Sequence, residues 1–263
     1  MLKTTTISLV LSIALAFSTG VNATIVQFQT VLGTFEVNLY DEDTPATVAN
    51  FLNYVNDRDY DNVVIHRSAP GFVVQGGGLV STGSLPLISV PTDAAVVNEP
   101  EFSNVRGTIA MAKLDGDPNS ATSQWFFNMA DNSANLDVQN GGFTVFGEVT
   151  GMGMDVIDAI EALPLYDLGG ALGSLPLRAY SQQDANNGVP ITDQHLVLIT
   201  AVVVIDGAAD TASSLSPTPN TLLNPPPAAP PASDGGGGGA MGLGILFVLV
   251  TGRLFARRRS RIR

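Results

Sequence analysis

The sequence predicts a mainly β domain, an antiparallel barrel whose ends are plugged by two helices. Three observations carry this reading. Short apolar, β-branched runs recur through residues 24–206. Only two segments show helical periodicity, and they lie far apart. Glycine-rich connections separate the runs, as in sheets that close on themselves.

The elements follow in order. Thr24–Thr30 and Gly33–Tyr40 read as a strand pair, because Phe35, Val37 and Leu39 alternate with polar residues at period two. Pro45 to about Asp57 reads as a helix. Thr44 is placed to cap it, Pro45 suits its first turn, and Val48, Phe51, Leu52 and Val55 share one face. Strands are expected at 63–67, 72–75, 108–112, 124–129 and 144–149. Gly153–Leu163 is the second helix, with Met154, Ile157 and Ile160 at helical spacing. Asp167–Asp193 has little periodicity and reads as a surface excursion. His195–Asp206 is β-branched and should be the closing strand.

Composition bounds the function. Hydrophobic residues make up 45% and charged residues 14% of 263, which excludes a disordered chain. There is no cysteine, so disulfide frameworks and zinc–thiolate sites are excluded. The formal net charge is −12. Six arginines crowd the last eleven positions, and between leader and tail only Arg58, Arg67, Arg106, Lys113 and Arg178 are basic. A body this acidic repels phosphates, so no nucleic-acid partner is expected.

Both ends read as addresses. Residues 1–23 have the form of a signal peptide: Lys3, the apolar run Ile7–Phe17, and the small-residue cleavage site Val21-Asn22-Ala23. The expected domain is 24–208. Residues 209–234 are rich in Pro, Ser and Ala and read as a linker. Residues 235–263 combine a glycine run, a short apolar helix (Ala240–Ala256, interrupted by Arg253) and an arginine-rich tail. The helix is at the lower limit for a transmembrane span, and the arginines would stay cytoplasmic. This order resembles the GlyGly-type C-terminal sorting signal of Gram-negative bacteria, which implies cleavage near the glycines. A plain membrane anchor is the alternative. The expected location is outside the cytoplasm, in the periplasm, at the surface or secreted, with membrane contact through the tail before processing.

Four segments carry chemistry: Val64–Gly78 (VIHRSAPGFVVQGGG), Arg106–Ala112 (RGTIAMA), Ser120–Asn128 (SATSQWFFN), and Leu136-Asp137 followed by Phe143–Val149 (FTVFGEV). Together they resemble the cyclophilins, a family of peptidyl-prolyl isomerases, over about residues 25–206. The resemblance implies a closed eight-stranded antiparallel barrel with two capping helices. It implies that Arg67 is the catalytic arginine, that Gln75 and Gln124 orient it and the peptide, and that Phe72, Phe126 and Leu136 floor a proline pocket. Val73 stands where many members carry methionine. Ala112 lines the groove for the residue before proline, Lys113 follows it, and Phe143 stands where relatives have histidine or tyrosine. Asn135 replaces a common aromatic residue, which implies weaker binding of cyclosporin-type inhibitors. The implied partners are X-Pro segments of exported polypeptides, and a monomer is expected.

That residue set suits the reaction. An X-Pro bond resists rotation because its nitrogen shares a lone pair with the carbonyl, a barrier of about 18–20 kcal/mol. A catalyst needs no nucleophile, metal or cofactor; it must favour the twisted amide over both planar forms. In the twisted state the prolyl lone pair is free, and a permanently charged guanidinium aimed at it stabilises that state alone. A 10⁵-fold acceleration requires about 7 kcal/mol. Gly76–Gly78 lacks the Lys-Ser/Thr pair and helix start of a phosphate loop. Asp115, Asp117 and Asn119 read as a turn rather than a calcium loop, and His66 and His195 as structural. The alternative function is a catalytically weak, surface-displayed proline-peptide binding or chaperone module.

Overall fold

The computed structural model describes residues 24–207 and 215–223. The leader, the glycine run and the apolar tail therefore lie outside the described residues. No helix among the described residues is long and apolar enough to cross a membrane.

In chain order the strands and helices are β1 (Ile25–Thr30), β2 (Gly33–Leu39), α1 (Pro45–Asn56), β3 (Val63–Val64), β4 (Arg67–Ala69), β5 (Val73–Gly76), β6 (Leu79–Val80), β7 (Ile88–Ser89), β8 (Thr108–Met111), β9 (Trp125–Asn128), α2 (Ser133–Leu136), β10 (Val145–Val149), α3 (Gly153–Glu161), β11 (Leu165–Tyr166), β12 (Leu175–Pro176), α4 (Gln182–Asn186) and β13 (Leu198–Asp206). The main sheet has eleven strands in the order β4-β5-β9-β8-β10-β2-β1-β13-β3-β6-β7.

This is an open half-barrel, which corrects the closed eight-stranded barrel expected from the sequence. The reason lies in the single strand expected at Val63–Arg67. The chain breaks there into β3 and β4 and changes partner. Ile65 N still donates to Val197 O (3.0 Å), whereas His66 N donates to Gln75 O (3.2 Å). One covalent kink thus joins the two regions of the sheet where a ladder would otherwise close it. The short strands β6 and β7 extend the far edge.

The main core lies between the concave face of the sheet and helices α1 and α3. Phe28, Phe35, Phe51, Tyr54, Trp125, Phe127 and Ile157 are buried there. Phe28 stacks on Phe35 at 5.0 Å and meets Trp125 edge-on at 5.3 Å, geometries that aromatic quadrupoles favour. Helix α1 buries Val48, Phe51 and Val55 as expected, with Leu52 partly covered. Its cap differs from expectation. The Thr44 side chain makes no capping bond to the helix. Glu99 caps instead, accepting from Ala46 N (3.2 Å), Thr47 N (2.9 Å) and Thr47 Oγ1 (2.7 Å). A carboxylate there satisfies orphan donors and complements the helix dipole, but it comes from 53 residues away, beyond the reach of local sequence patterns.

The excursion at 167–193 is more structured than its sequence suggests. β11 pairs with β12. Leu175, Leu177, Tyr180 and Ile191 form a second core with Val64 and Leu196. Ser181 and Asp184 form a reciprocal capping box at the start of α4. Within the expected linker, residues 215–223 lie along Glu101–Ser103: Ser103 N donates to Thr218 O (2.8 Å) and Asn220 N to Glu101 O (2.8 Å).

Candidate active site

The sheet register assembles the centre of the site. Arg67 on β4 is paired with Gln75 on β5, Gln75 with Phe126 on β9, and Phe126 with Ala110 on β8. Alternation then sorts the faces. Trp125 and Phe127 point into the main core, while Phe126 packs outward with Val73, Ala110 and Leu136. Trp125 thus faces away from the outward cluster that holds Phe126.

A cavity of about 200 Å³ opens on that outward face, lined by Arg67, Phe72, Val73, Gln75, Ala112, Lys113, Phe126, Leu136, Gln139 and Phe143. It therefore brings together nine of the ten residues singled out in the sequence. Gln124 is the tenth; it lines adjoining hollows instead. Gln139 was missed, since it sits in a short turn with no pattern to mark it. Asn135 is exposed and does not line the cavity. The volume lies below the roughly 300–1,000 Å³ typical of cofactor or drug-sized sites, so it suits a single small ring. A larger hollow of about 500 Å³ lies between β2 and the start of α3; none of the singled-out residues lines it.

The polar rim is a relay. Arg67 Nη1 donates to Gln75 Oε1 (3.2 Å), and Gln75 Nε2 donates to Gln124 Oε1 (3.0 Å). Gln124 thus acts on Arg67 through Gln75 rather than directly. Its side chain lies against Gly78, where a Cβ would stand 2.6–2.7 Å from Cδ, Cγ and Nε2. That close approach explains the glycine. Among the described residues Arg67 forms no ion pair, whereas Arg58 and Arg106 pair with Asp61 and Asp158. A guanidinium tied to neutral amides keeps its full charge for a bound group.

The apolar floor is held from below. Val73, Phe126 and Leu136 are buried. Phe143 meets Phe126 edge-on at 5.8 Å. Phe72 is set by a tight turn, in which its N–H donates to Ala69 O (2.9 Å) and Gly71 takes φ +70°, a value that favours glycine. A buried polar cluster fixes the loop from Met129 to Phe143. Asn132 Nδ2 donates to Asn128 Oδ1 (2.8 Å), Asn128 Nδ2 to Thr108 Oγ1 (2.9 Å), and Asn104 Nδ2 to Asp137 Oδ1 (3.0 Å). Sequence reasoning missed this cluster, because its members are far apart in the chain.

Lys113 does more than border the groove. Its Nζ lies 4.7 Å from the Phe143 ring centre, within cation–π range. It donates to Asn140 O (2.9 Å) and Gly142 O, the turn that carries Phe143. Burial, partly opposed by the Asp117 carboxylate, lowers its pKa to about 8. His66 is buried beside Arg67, and burial lowers its pKa to about 4. It is therefore neutral at physiological pH, as a structural histidine should be. His195 Nδ1 accepts from Thr192 N (3.1 Å), and the ring packs edge-on against Tyr180.

The family model for the cyclophilin type peptidyl-prolyl cis-trans isomerases matches residues 25–174. The chain belongs to the cyclophilin family. This cyclophilin is 40% identical to a peptidyl-prolyl cis-trans isomerase of Acinetobacter baylyi over 144 residues, 54% of this chain and 73% of the relative. It is 41% identical to peptidyl-prolyl cis-trans isomerase A of Dickeya dadantii over 161 residues, 59% of this chain and 81% of the relative. A crystal structure of a Cryptosporidium parvum cyclophilin type isomerase superposes with a TM-score of 0.50 at 20% identity, covering 70% of this chain and 99% of that one. That likeness concerns the fold. This cyclophilin is a peptidyl-prolyl cis-trans isomerase.

Proposed function

We propose that this isomerase acts on X-Pro segments of exported polypeptides outside the cytoplasm, with Arg67 as the group that stabilises the twisted amide. The observation that carries the role of Arg67 is its placement. An unpaired guanidinium, held by Gln75, stands at the edge of an apolar cavity sized for a proline ring. In the reaction the ring sits on Phe126, Val73 and Leu136, and Phe72 and Phe143 close over it. As the bond twists, the prolyl nitrogen pyramidalises and Arg67 donates to its freed lone pair. Gln75 and Gln124 keep the fork aimed, so little reorganisation is needed at that moment. Ala112 and Lys113 border the groove for the preceding residue. The low polarity of the floor strengthens the charged hydrogen bond.

The leader and tail support the location. Residues 1–23 have the form of a cleaved signal peptide, and the glycine run with its apolar, arginine-ended tail has the form of a sorting signal processed by an intramembrane protease. The test has two arms. Exchange NMR on an Ala-Pro peptide should show catalysed isomerisation that is lost in Arg67→Ala; equal acceleration by both proteins would remove Arg67 from the mechanism. Mass spectrometry of the exported protein should find Thr24 at the N-terminus and a C-terminus within Gly235–Gly239. Recovery of an intact Arg263 would rule out processing.

A further inference from the structure

The excursion after α3 returns to the site. Its turn at Gly169–Ser174 is fastened to the outer edge of β4. Ser68 N donates to Ser174 O (2.9 Å), and Ser174 bridges Arg67 in parallel. β12, which begins at the next residue, is anchored by Leu175 in the second core. The turn and the site enclose a hollow of about 350 Å³ that shares Arg67, Gln75 and Gln124 with the isomerase centre and adds His66, Gly170 and Ala171 among others.

We propose that this hollow is a second subsite, which receives the side chain of the residue that follows proline and favours a large uncharged one. This rests on the isomerase reading of the same Arg67 site. Strand order gives the direction. Ala112 continues β8, Phe126 lies on β9, Gln75 on β5 and Arg67 on β4, with the Ser174 turn beyond. From Phe126 on β9 to Arg67 on β4 is two strand spacings, about 10 Å; one extended residue covers about 3.4 Å of that, and a large side chain covers the rest. A peptide with its preceding residue beside Ala112 and its ring on Phe126 therefore brings the next side chain to Arg67 and the turn.

The lining sets the preference. Gly170, Ala171 and Gly173 leave space where bulkier residues would fill it, and no carboxylate lines the hollow. His66 is buried and neutral. A lysine or arginine after proline would meet the Arg67 charge. An aspartate or glutamate would pair with Arg67 and draw it from the prolyl nitrogen. An aromatic or aliphatic side chain gains burial without either cost.

The test measures kcat/KM by exchange NMR for Ala-Ala-Pro peptides ending in Gly, Phe or Lys amide, using the full chain. The Phe peptide should exceed the Gly peptide by roughly fivefold or more, and the Lys peptide should fall below it. Ala171→Trp fills the hollow and should bring the Phe-to-Gly ratio close to one. Gly173→Leu is a second filling variant: its backbone is ordinary (φ −68°), and an added Cβ meets its nearest atoms at 3.4 and 3.6 Å. A ratio of one in the unaltered protein, or an unchanged ratio in both variants, would overturn the subsite. Failure to accelerate even the Gly peptide would instead overturn the isomerase reading on which it rests.

Discussion

A guanidinium is a permanent charge, so any pH dependence of the rate should come from other groups. Arg67→Ala should lower kcat/KM by about 10²–10³-fold, the scale of losing one preorganised donor. Arg67→Lys should recover little, since an ammonium has no fork to meet Gln75 and the prolyl nitrogen together. Lys113 supplies the pH dependence. With its pKa lowered to about 8, it loses its charge above that value, and with it the cation over Phe143. KM should rise through an apparent pKa of about 8 while kcat holds, and Lys113→Met should abolish the step. His66 acts on stability. Its folded pKa is about 4, so the unfolded chain takes up a proton first, near pH 6.5. The contribution of neutral His66 is complete above about pH 6.5 and drains away as pH falls toward 4. Urea midpoints measured from pH 7 to 5 should slope less in His66→Gln. The sequence made Arg67, Gln75 and Phe126 visible, because they lie in short motifs. The Gln75–Gln124 relay and the second contact face of Lys113 depend on distances that only folding sets.

Elements with their own periodicity were legible: β1, β2, α1, α3 and β13 stand where alternation or helical spacing places them. The elements missed are those whose stabilisation is not local. β6, β7, β11 and β12 have two residues each, too short to show a period. The cap of α1 is the plainest case, because Glu99 arrives from a distant loop. Glu99→Ala should destabilise the domain by about 1–2 kcal/mol, and Thr44→Ala by less, as read from thermal melts. The strap at 215–223 belongs to the same class. Leu215 packs on the outward apolar cluster, and Asn220 Nδ2 donates to Asp137 O (3.0 Å), next to Leu136 of the pocket floor. A chain ended at Ala208 should melt roughly 5 °C below one ended at Pro226, the shift expected for about 2 kcal/mol in a domain of this size. Equal melting points would mean that the strap contributes nothing.

For the molecule as a whole, the sequence reading of a mainly β architecture holds; the closed barrel does not, and the short α2 and α4 join the two expected helices as additional ones. Alternation records which face a residue takes, but a kink at Ile65–His66 leaves no trace in a pattern of apolar residues. The same partition of faces gives the protein a built-in optical probe. Trp125 is the only tryptophan of the chain and is fully buried. Its indole sits among Phe28, Tyr60 and Phe127, at the start of β9 between Gln124, which precedes the strand, and Phe126. The native emission should be short in wavelength and untouched by iodide, and it should shift to the red as the core opens. Because the indole lies on the dry side of the strand whose other side lines the proposed proline cavity, a bound peptide should leave the colour of that emission unchanged. Fluorescence will therefore report on folding alone, and binding must be followed from a label on the peptide.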